Sequence, residues 1–350
     1  MKKKVICFII PPSPFLIDER VFMSLGVLKI ASALEKEGYP VEVLDLSGIK
    51  NFTQAVADHV SINKGSRIYG ITATTPQMPS AFQISQTVRN TDPQAKQILG
   101  GPHITLIYTA VKREMKLGHS QRATLAFKKL EETFDVIVTG DGELAIFEAI
   151  KDDSPALIDA DDLKSNLFLK NSDLESLPFP ARHLLDVSSY HYSIEGFPAL
   201  SLIAQLGCPF SCGFCGGRES PFLRKIRTRS SDSVVAEMEH LYKVYGVTGF
   251  MMSDDELNVN KSMVELMNKI ASAQERLGVE WRLRGFIKSQ LFTDEQAQAM
   301  YRAGFRWILS GFESGSERIL TNMNKKATRD ENTRCVEIAK RNNLKVKALM

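Results

Sequence analysis

Apolar positions along this chain follow two alternating rhythms. Short runs rich in β-branched residues cover positions 5–10, 41–46 and 68–73, with shorter ones at 97–99 and 136–138. Between them, apolar residues recur every three to four positions. Over residues 21–38 these are Val27, Leu28, Ile30, Ala31 and Leu34, and Gly38 closes the pattern. The first rhythm predicts strands buried on both faces, and the second predicts helices with one apolar side. Further helices are expected at 53–60, 81–89 and 143–150, and across a long polar stretch at 107–134. Strands alternating with helices predict an α/β fold in which residues 1–150 form a doubly wound parallel sheet.

The rhythm lapses over residues 151–195, which read as a linker. Asp and Ser are frequent there, and Leu177-Pro178-Phe179-Pro180-Ala181-Arg182 cannot continue a helix. It resumes over 196–350. Strands are expected at 200–206, 249–253, 280–287, 306–310 and 344–350, with helices at 231–245, 261–277, 293–303 and 330–342. Ser231 or Asp232 is the expected cap of the first helix and Thr293 that of the third. Units of this length predict a partial (β/α) barrel. It reads as truncated after about its fifth strand.

A chain of 350 residues is long enough for two domains. The net charge of +3 and the lack of a long basic run give no footprint for nucleic acid. No stretch is long enough to cross a bilayer, so no membrane partner is expected. Met1-Lys2-Lys3-Lys4 before an apolar run imitates a signal peptide. The run is short and meets Pro11-Pro12, so a first strand is the better reading. The expected location is cytoplasmic, where thiols stay reduced.

Three of the five cysteines lie in Cys208-Pro209-Phe210-Ser211-Cys212-Gly213-Phe214-Cys215, just after an apolar run. Three thiolates so close on one loop can grip three corners of a cubane iron–sulfur cluster. A fully ligated cluster takes four, so one iron would stay open to an exogenous ligand. A zinc site would need a fourth ligand, from Cys335 or a histidine. A disulfide with a spare thiol suits an oxidising compartment, for which there is no other sign. Cys7 and Cys335 read as buried or helical thiols. In a doubly wound sheet, ligands bind outside the carboxyl ends of the strands. Small and polar residues gather there in Thr72-Ala73-Thr74-Thr75-Pro76, Gly100-Gly101-Pro102-His103 and Gly140-Asp141-Gly142-Glu143. Those glycines either admit a ligand to the backbone or simply make tight turns. His103 reads as a loop hydrogen-bonder.

The cysteine octet, with an aromatic residue before its last cysteine, resembles the signature of the radical S-adenosylmethionine (SAM) enzymes. The resemblance implies a [4Fe–4S] cluster on Cys208, Cys212 and Cys215, whose open iron chelates SAM. Gly311-Phe312-Glu313-Ser314-Gly315-Ser316 is similar to that family's fourth-strand motif, which places Glu313 on the ribose with Ser314 beside it. The likeness further implies Asp254 and Asp255 as acceptors for the SAM ammonium, Arg284 for its carboxylate and Phe214 against the adenine. Reductive cleavage of SAM to a 5′-deoxyadenosyl radical would follow, fed by an electron donor such as flavodoxin or ferredoxin and acting on a small-molecule substrate.

The loops of the first 150 residues resemble a cobalamin-binding domain. That likeness assigns Thr72, Thr74, Gly100 and Gly101 to the cobalamin tail, with Gly140, Gly142 and Glu143 bordering the same cleft. The D-x-H-x-x-G motif of proteins that ligate cobalt from below is missing. Pro11-Pro12-Ser13-Pro14-Phe15 stands in its place, and Asp58-His59 has the wrong spacing. Any cobalamin is therefore expected without a histidine lower ligand. The linker also resembles that of cobalamin-dependent radical SAM proteins, and neither His183 nor His191 in it is expected to be catalytic. Methylation of an unactivated carbon is the implied reaction. The alternatives are a cobalamin-dependent cyclase or oxidoreductase of the anaerobic porphyrin-cyclase type, or a non-catalytic iron–sulfur or corrinoid-binding protein.

Overall fold

A computed structural model describes residues 3–350; Met1 and Lys2 of the basic start lie outside the described residues. The chain divides into two compact units. The first runs to Leu169 and takes in Leu177–Tyr190 and Glu219–Phe222; the second comprises Lys170–Ser176, His191–Arg218 and Leu223–Met350.

The first unit is built on β1 (Val5–Ile10), α1 (Leu25–Lys36), β2 (Val41–Asp45), α2 (Phe52–Ile62), β3 (Arg67–Thr72) and α3 (Met78–Thr91). It continues through β4 (Lys96–Gly100), α4 (Pro102–Lys116), α5 (Arg122–Glu131), β5 (Val136–Gly140), α6 (Gly142–Ala149) and β6 (Leu157–Ala160). Among the described residues these strands form one six-stranded sheet in the order β2-β1-β3-β4-β5-β6, parallel throughout. Side chains on β1 alternate between two cores, as a strand covered on both faces must. Cys7 and Ile9 join the core under α2–α5. Ile6, Phe8 and Ile10 join the core under α1 and α6. The doubly wound parallel sheet is thus as expected from the apolar runs. The stretch at 107–134 is two helices, α4 and α5, not one.

The segment read as a linker from 151 contributes β6, whose four residues are too short to stand out among the acidic residues around them. Just past it, buried Asp161 accepts hydrogen bonds from Thr109 Oγ1 (2.9 Å), Ser220 Oγ (2.8 Å) and the Phe222 amide (2.7 Å). With its carboxylate so satisfied, Asp161 holds Glu219–Phe222 within the first unit. 

The second unit opens with α7 (Asn171–Ser176), β7 (Ser193–Ile194), β8 (Phe197–Leu202) and β9 (Gln205–Leu206). Next come α8 (Pro221–Arg224), which starts in the first unit, then β10 (Arg227–Thr228), α9 (Ser231–Tyr245), β11 (Gly249–Met252) and α10 (Met263–Leu277). The remainder is β12 (Arg282–Phe286), α11 (Asp294–Arg302), β13 (Phe305–Gly311), α12 (Glu317–Asn322), α13 (Arg329–Arg341) and β14 (Lys345–Leu349). Strands β8, β11, β12, β13 and β14 lie side by side in chain order and parallel, which is the expected partial-barrel progression. The hairpin strand β7 pairs antiparallel on the outside of β8.

The apolar run at 200–206 is not one strand. The main chain leaves the sheet after Leu202, where the buried carboxylate of Asp254 takes the Ala204 amide (3.4 Å). Gln205 and Leu206 then pair with β10 as a separate antiparallel ribbon. The cap of α9 is Ser230, one residue before the expected pair, and its hydroxyl accepts from the Ser233 amide. Thr293 caps α11 as expected, in a reciprocal box with Gln296.

Candidate functional site

In the first unit the strand order reverses beside β1, and the loops after β1 and β3 meet there, the place where doubly wound sheets receive ligands. Gln77 Nε2 donates to the Pro11 carbonyl (2.7 Å), and Thr74 Oγ1 donates to Gln77 Oε1 (2.8 Å). Thr74 is therefore engaged in holding its own loop. Thr72 and Gly100 end adjacent strands and are half-buried. Gly101 has φ +105°, and a Cβ there would lie 2.7 Å from Thr72 Oγ1 and 2.9 Å from the Ala73 amide. Gly140 has φ +79° and leaves no room for a Cβ against the Ala160–Asp161 backbone, and a Cβ on Gly142 would strike the Ile30 side chain. These three glycines are required by contacts of the protein with itself. Glu143 is buried and pairs with Lys29 Nζ at 2.7 Å, tying α6 to α1. His103 opens α4 and lies 3.0 Å from Thr75 Oγ1, consistent with a hydrogen-bonding role.

At the amino end of the same sheet, Cys7, Glu42 and His59 cluster, with His59 Nε2 at 3.6 Å from Cys7 Sγ and 3.1 Å from Glu42 Oε1. Burial pushes the Glu42 carboxyl up, but hydrogen bonds from His59 and Arg67 outweigh it and hold the group at about 2. The ion pair with Arg67 already uses both carboxylate oxygens. This cluster therefore reads as a closed polar knot.

In the second unit the cysteine loop leaves β9. Cys208, Cys212 and Cys215 are free thiols, graded from half-buried through buried to exposed. The Cys208 amide donates to the Leu223 carbonyl (2.9 Å), and the Cys215 amide to the Cys212 carbonyl (3.1 Å). Residues 323–325, which sequence reasoning left out, clasp the loop at three successive points. The Gly213 amide donates to the Met323 carbonyl (2.6 Å). Asn324 Nδ2 donates to the Ser211 carbonyl (3.0 Å) and hydroxyl (3.2 Å). The Lys325 carbonyl lies 4.0 Å from Cys212 Sγ. Asn324 (φ +52°) and Lys326 (φ +56°) are both left-handed, a costly pair of conformations that aims the Lys325 side chain inward.

Charged groups surround the loop. Burial raises the Cys208 thiol, and Glu256 and Asp255 raise it further, which places both carboxyls within electrostatic reach. Asp255 is exposed to solvent, though the protein around it desolvates its carboxyl enough to raise it too. Burial lifts Glu256 to about 7 against the pull of Lys288 and Lys325. Lys288 is 2% exposed. Its ammonium donates to the Lys325 carbonyl (2.8 Å) and stands 4.5 Å from the Phe210 ring centre. Lys325 pairs with Glu313 at 3.0 Å and lies 5.7 Å from the Phe214 ring centre. Glu313 itself is left-handed (φ +62°). Gly311 is a glycine because a Cβ there would press on both Glu313 and Lys325 Nζ.

The remaining expected residues fall elsewhere. Asp254 is fully buried behind the loop, lifted to about 7 by desolvation, and holds the backbone where β8 turns out of the sheet. One carboxylate oxygen thus anchors the main chain ahead of the loop, while Oδ1 is buried without a hydrogen-bond partner. The Arg284 guanidinium lies 3.5 Å from Tyr192 Oη and 5.9 Å from the Trp307 ring. Residues 284 and 286 sit within β12, whereas Lys288 lies past its carboxyl end, where barrel sites form. Phe214 is half-exposed at the loop tip. Ser314 shapes the turn after β13 and lines an open cleft of about 470 Å³ with Phe312, Arg329, Asn332 and Met350. The donor set suits a cluster: three free thiols on one loop, with two buried ammonium groups to offset the negative charge the thiolates would bring. Cys7 and Cys335 lie buried in β1 and α13.

Comparison with known proteins follows the same division. Residues 202–350 match the Radical SAM superfamily. An uncharacterized methyltransferase of Pyrococcus horikoshii is 26% identical over 97% of this chain and 72% of its own length. The anaerobic magnesium-protoporphyrin IX monomethyl ester cyclase of Cereibacter sphaeroides is 25% identical over 89% of this chain and 50% of its own length. Among solved structures, the radical SAM methyltransferase TsrM from Kitasatospora setae, with cobalamin and a [4Fe–4S] cluster bound, superposes with a TM-score of 0.75. That match covers 99% of this chain and 66% of TsrM, at 16% identity. Residues 202–350 are thus a radical SAM domain. The chain has the fold of TsrM, and it spans from half to about three-quarters of the length of these relatives. Among the described residues, no helix is long and apolar enough to cross a membrane.

Proposed function

We propose that this chain binds a [4Fe–4S] cluster through Cys208, Cys212 and Cys215, takes SAM at the open iron, and methylates an unactivated carbon of a small molecule with the help of cobalamin. When bound, these groups supply reductive cleavage of SAM to a 5′-deoxyadenosyl radical and transfer of a methyl group. The chain's own residues bind and orient. The contacts of residues 323–325 with Ser211, Cys212 and Gly213 support the loop that carries the three cysteines. Asp255 and Glu256, past the carboxyl end of β11, would accept hydrogen bonds from the SAM ammonium. Glu313, held by Lys325, is placed to accept those of the ribose hydroxyls. Phe214, exposed at the loop tip, offers an apolar face for the adenine.

In the first unit the edge formed by Thr72 and Gly100 is where the cobalamin tail would lie. The loop at Pro11–Ser13 offers cobalt no histidine. An electron donor of the flavodoxin or ferredoxin class is the implied partner. The observation that carries this reading is the union of three free loop cysteines with a superfamily match over residues 202–350. A second reading, ring cyclisation, is favoured by the likeness to the cyclase.

The test is anaerobic reconstitution followed by dithionite and SAM. The wild-type chain is expected to form 5′-deoxyadenosine, and Cys212→Ala is expected to form none. A cluster-loaded chain that leaves SAM intact would refute the catalytic reading. Cobalamin retained on purification supports the methylation step, and its loss after repeated reconstitution would count against it.

A further inference from the structure

Two buried ammonium groups stand beside the cysteine loop, and the reading above gives them one task only, the hold of Lys325 on Glu313. We propose that Lys288 and Lys325 form a cationic floor beneath the loop that stabilises the reduced state of the cluster and so raises its reduction potential. The inference rests on the reading that Cys208, Cys212 and Cys215 hold that cluster.

Both lysines are nearly inaccessible, at 2% and 4% exposure. Solvent and salt therefore screen their charges weakly. Each ammonium lies over an aromatic ring of the loop, Lys288 over Phe210 and Lys325 over Phe214. These rings sit two residues after Cys208 and one before Cys215. Among the described residues, Glu313 pairs with Lys325 and no carboxylate pairs with Lys288. Glu256 lies within electrostatic reach of both lysines, but burial disfavours its charged form, so the set keeps a net positive charge. The fold holds it in place firmly. Buried Asn258 accepts from the Lys288 amide (2.8 Å) and donates to its carbonyl (3.0 Å). Left-handed residues flank Lys325 on both sides. Positive charge is ordinarily costly to bury, so an unpaired ammonium here calls for an anion to face. A cluster bearing three thiolates is such an anion, and it gains one further negative charge when a single electron arrives from the donor protein. No bond forms or breaks in that step. Net charge around a cluster is one of the levers that set its potential.

The experiment is a dye-mediated redox titration of the SAM-free cluster, read by electron paramagnetic resonance, with iron and sulfide counted in each sample. Lys288→Met and Lys325→Met keep the aliphatic stem and remove the charge. Each is expected to lower the reduced-to-oxidised ratio at a fixed potential about tenfold, a shift of about 59 mV to more negative values. Lys288→Arg should restore it. Glu313→Gln removes the anion beside Lys325 and should move the potential the opposite way. Unchanged potentials in loaded variants would overturn the proposal. So would unchanged potentials with weakened SAM binding, which would assign the lysines to the SAM carboxylate. Should the Met variants fail to load, the direction of the Glu313→Gln shift decides alone, and a shift downward or none overturns the proposal. A wild-type chain without stoichiometric iron and sulfide would instead be a failure of the cluster reading.

Discussion

Replacing Asn324 tests whether the 323–325 segment clasps the cysteine loop. Its amide makes two hydrogen bonds to Ser211, at 3.0 and 3.2 Å, from a partly exposed site. At that exposure the two together are worth about 1 kcal/mol. Asn324 is also left-handed, a conformation Asn tolerates and Ala resists by about 1–2 kcal/mol. Asn324→Ala is thus expected to cost about 2–3 kcal/mol. Asn324→Gly takes the left-handed conformation freely and isolates the lost hydrogen bonds, adding only the looser unfolded chain of a glycine. It should cost about 1–2 kcal/mol. The assay pairs denaturant unfolding with the rate of iron release to a chelator, because a loosened loop should surrender iron faster. The expected order of release is Ala fastest, Gly intermediate, wild type slowest. If Asn324→Gly matches the wild type in both measurements, the bonds to Ser211 hold nothing and the clasp is refuted.

Three further outcomes are expected. Glu313→Gln leaves the Lys325 ammonium without its partner, and since Glu313 is itself partly exposed the loss in unfolding free energy should be near the lower end of about 1.5–3 kcal/mol for charged hydrogen bonds; no loss would mean the pair is idle. Asp254 is held protonated in the fold up to about 7 but ionises near 4 when unfolded. The folded state then binds more protons between those values, so this group weakens the fold as pH rises from about 4 to 7. Asp254→Asn removes that dependence, and its stability relative to wild type should improve between pH 5 and pH 8 in urea titrations; a constant difference would contradict the burial argument. Arg284→Gln should leave SAM affinity unchanged in equilibrium binding, because its guanidinium faces Tyr192 and Trp307; a large loss would restore it to the site.

Local signals carried much of this fold. Strands buried on both faces wrote themselves as unbroken apolar runs, and Thr293 with Gln296 announced the start of α11. The cysteine loop was legible because its chemistry is packed into eight consecutive residues. What spacing could not reveal was direction. Arg284 and Lys288 are cations four residues apart, but Arg284 sits within β12 and only Lys288 lies past the strand end and beside the loop. Likewise Asp254 and Asp255 are adjacent in sequence but differ in setting, one buried and the other exposed within electrostatic reach of Cys208. Residues 323–325 were missed because their role depends on carbonyl groups and left-handed backbone, which any residue type can supply; the one hint was an Asn-Lys-Lys turn just after a helix. In the first unit, Gly101 and Gly140 read either as openings for a ligand or as tight turns, and spacing could not show the close contacts with Thr72–Ala73 and Ala160–Asp161 that need a glycine there. β6 was too short and too acidic in its surroundings to separate from the linker.

The most direct measurement is the electron paramagnetic resonance spectrum of the dithionite-reduced, anaerobically reconstituted chain, with and without SAM. Iron held by Cys208, Cys212 and Cys215 with one site open predicts a reduced-cluster signal that changes shape when SAM is added and vanishes in Cys212→Ala. A signal indifferent to SAM, or a colourless chain that retains zinc, would contradict it.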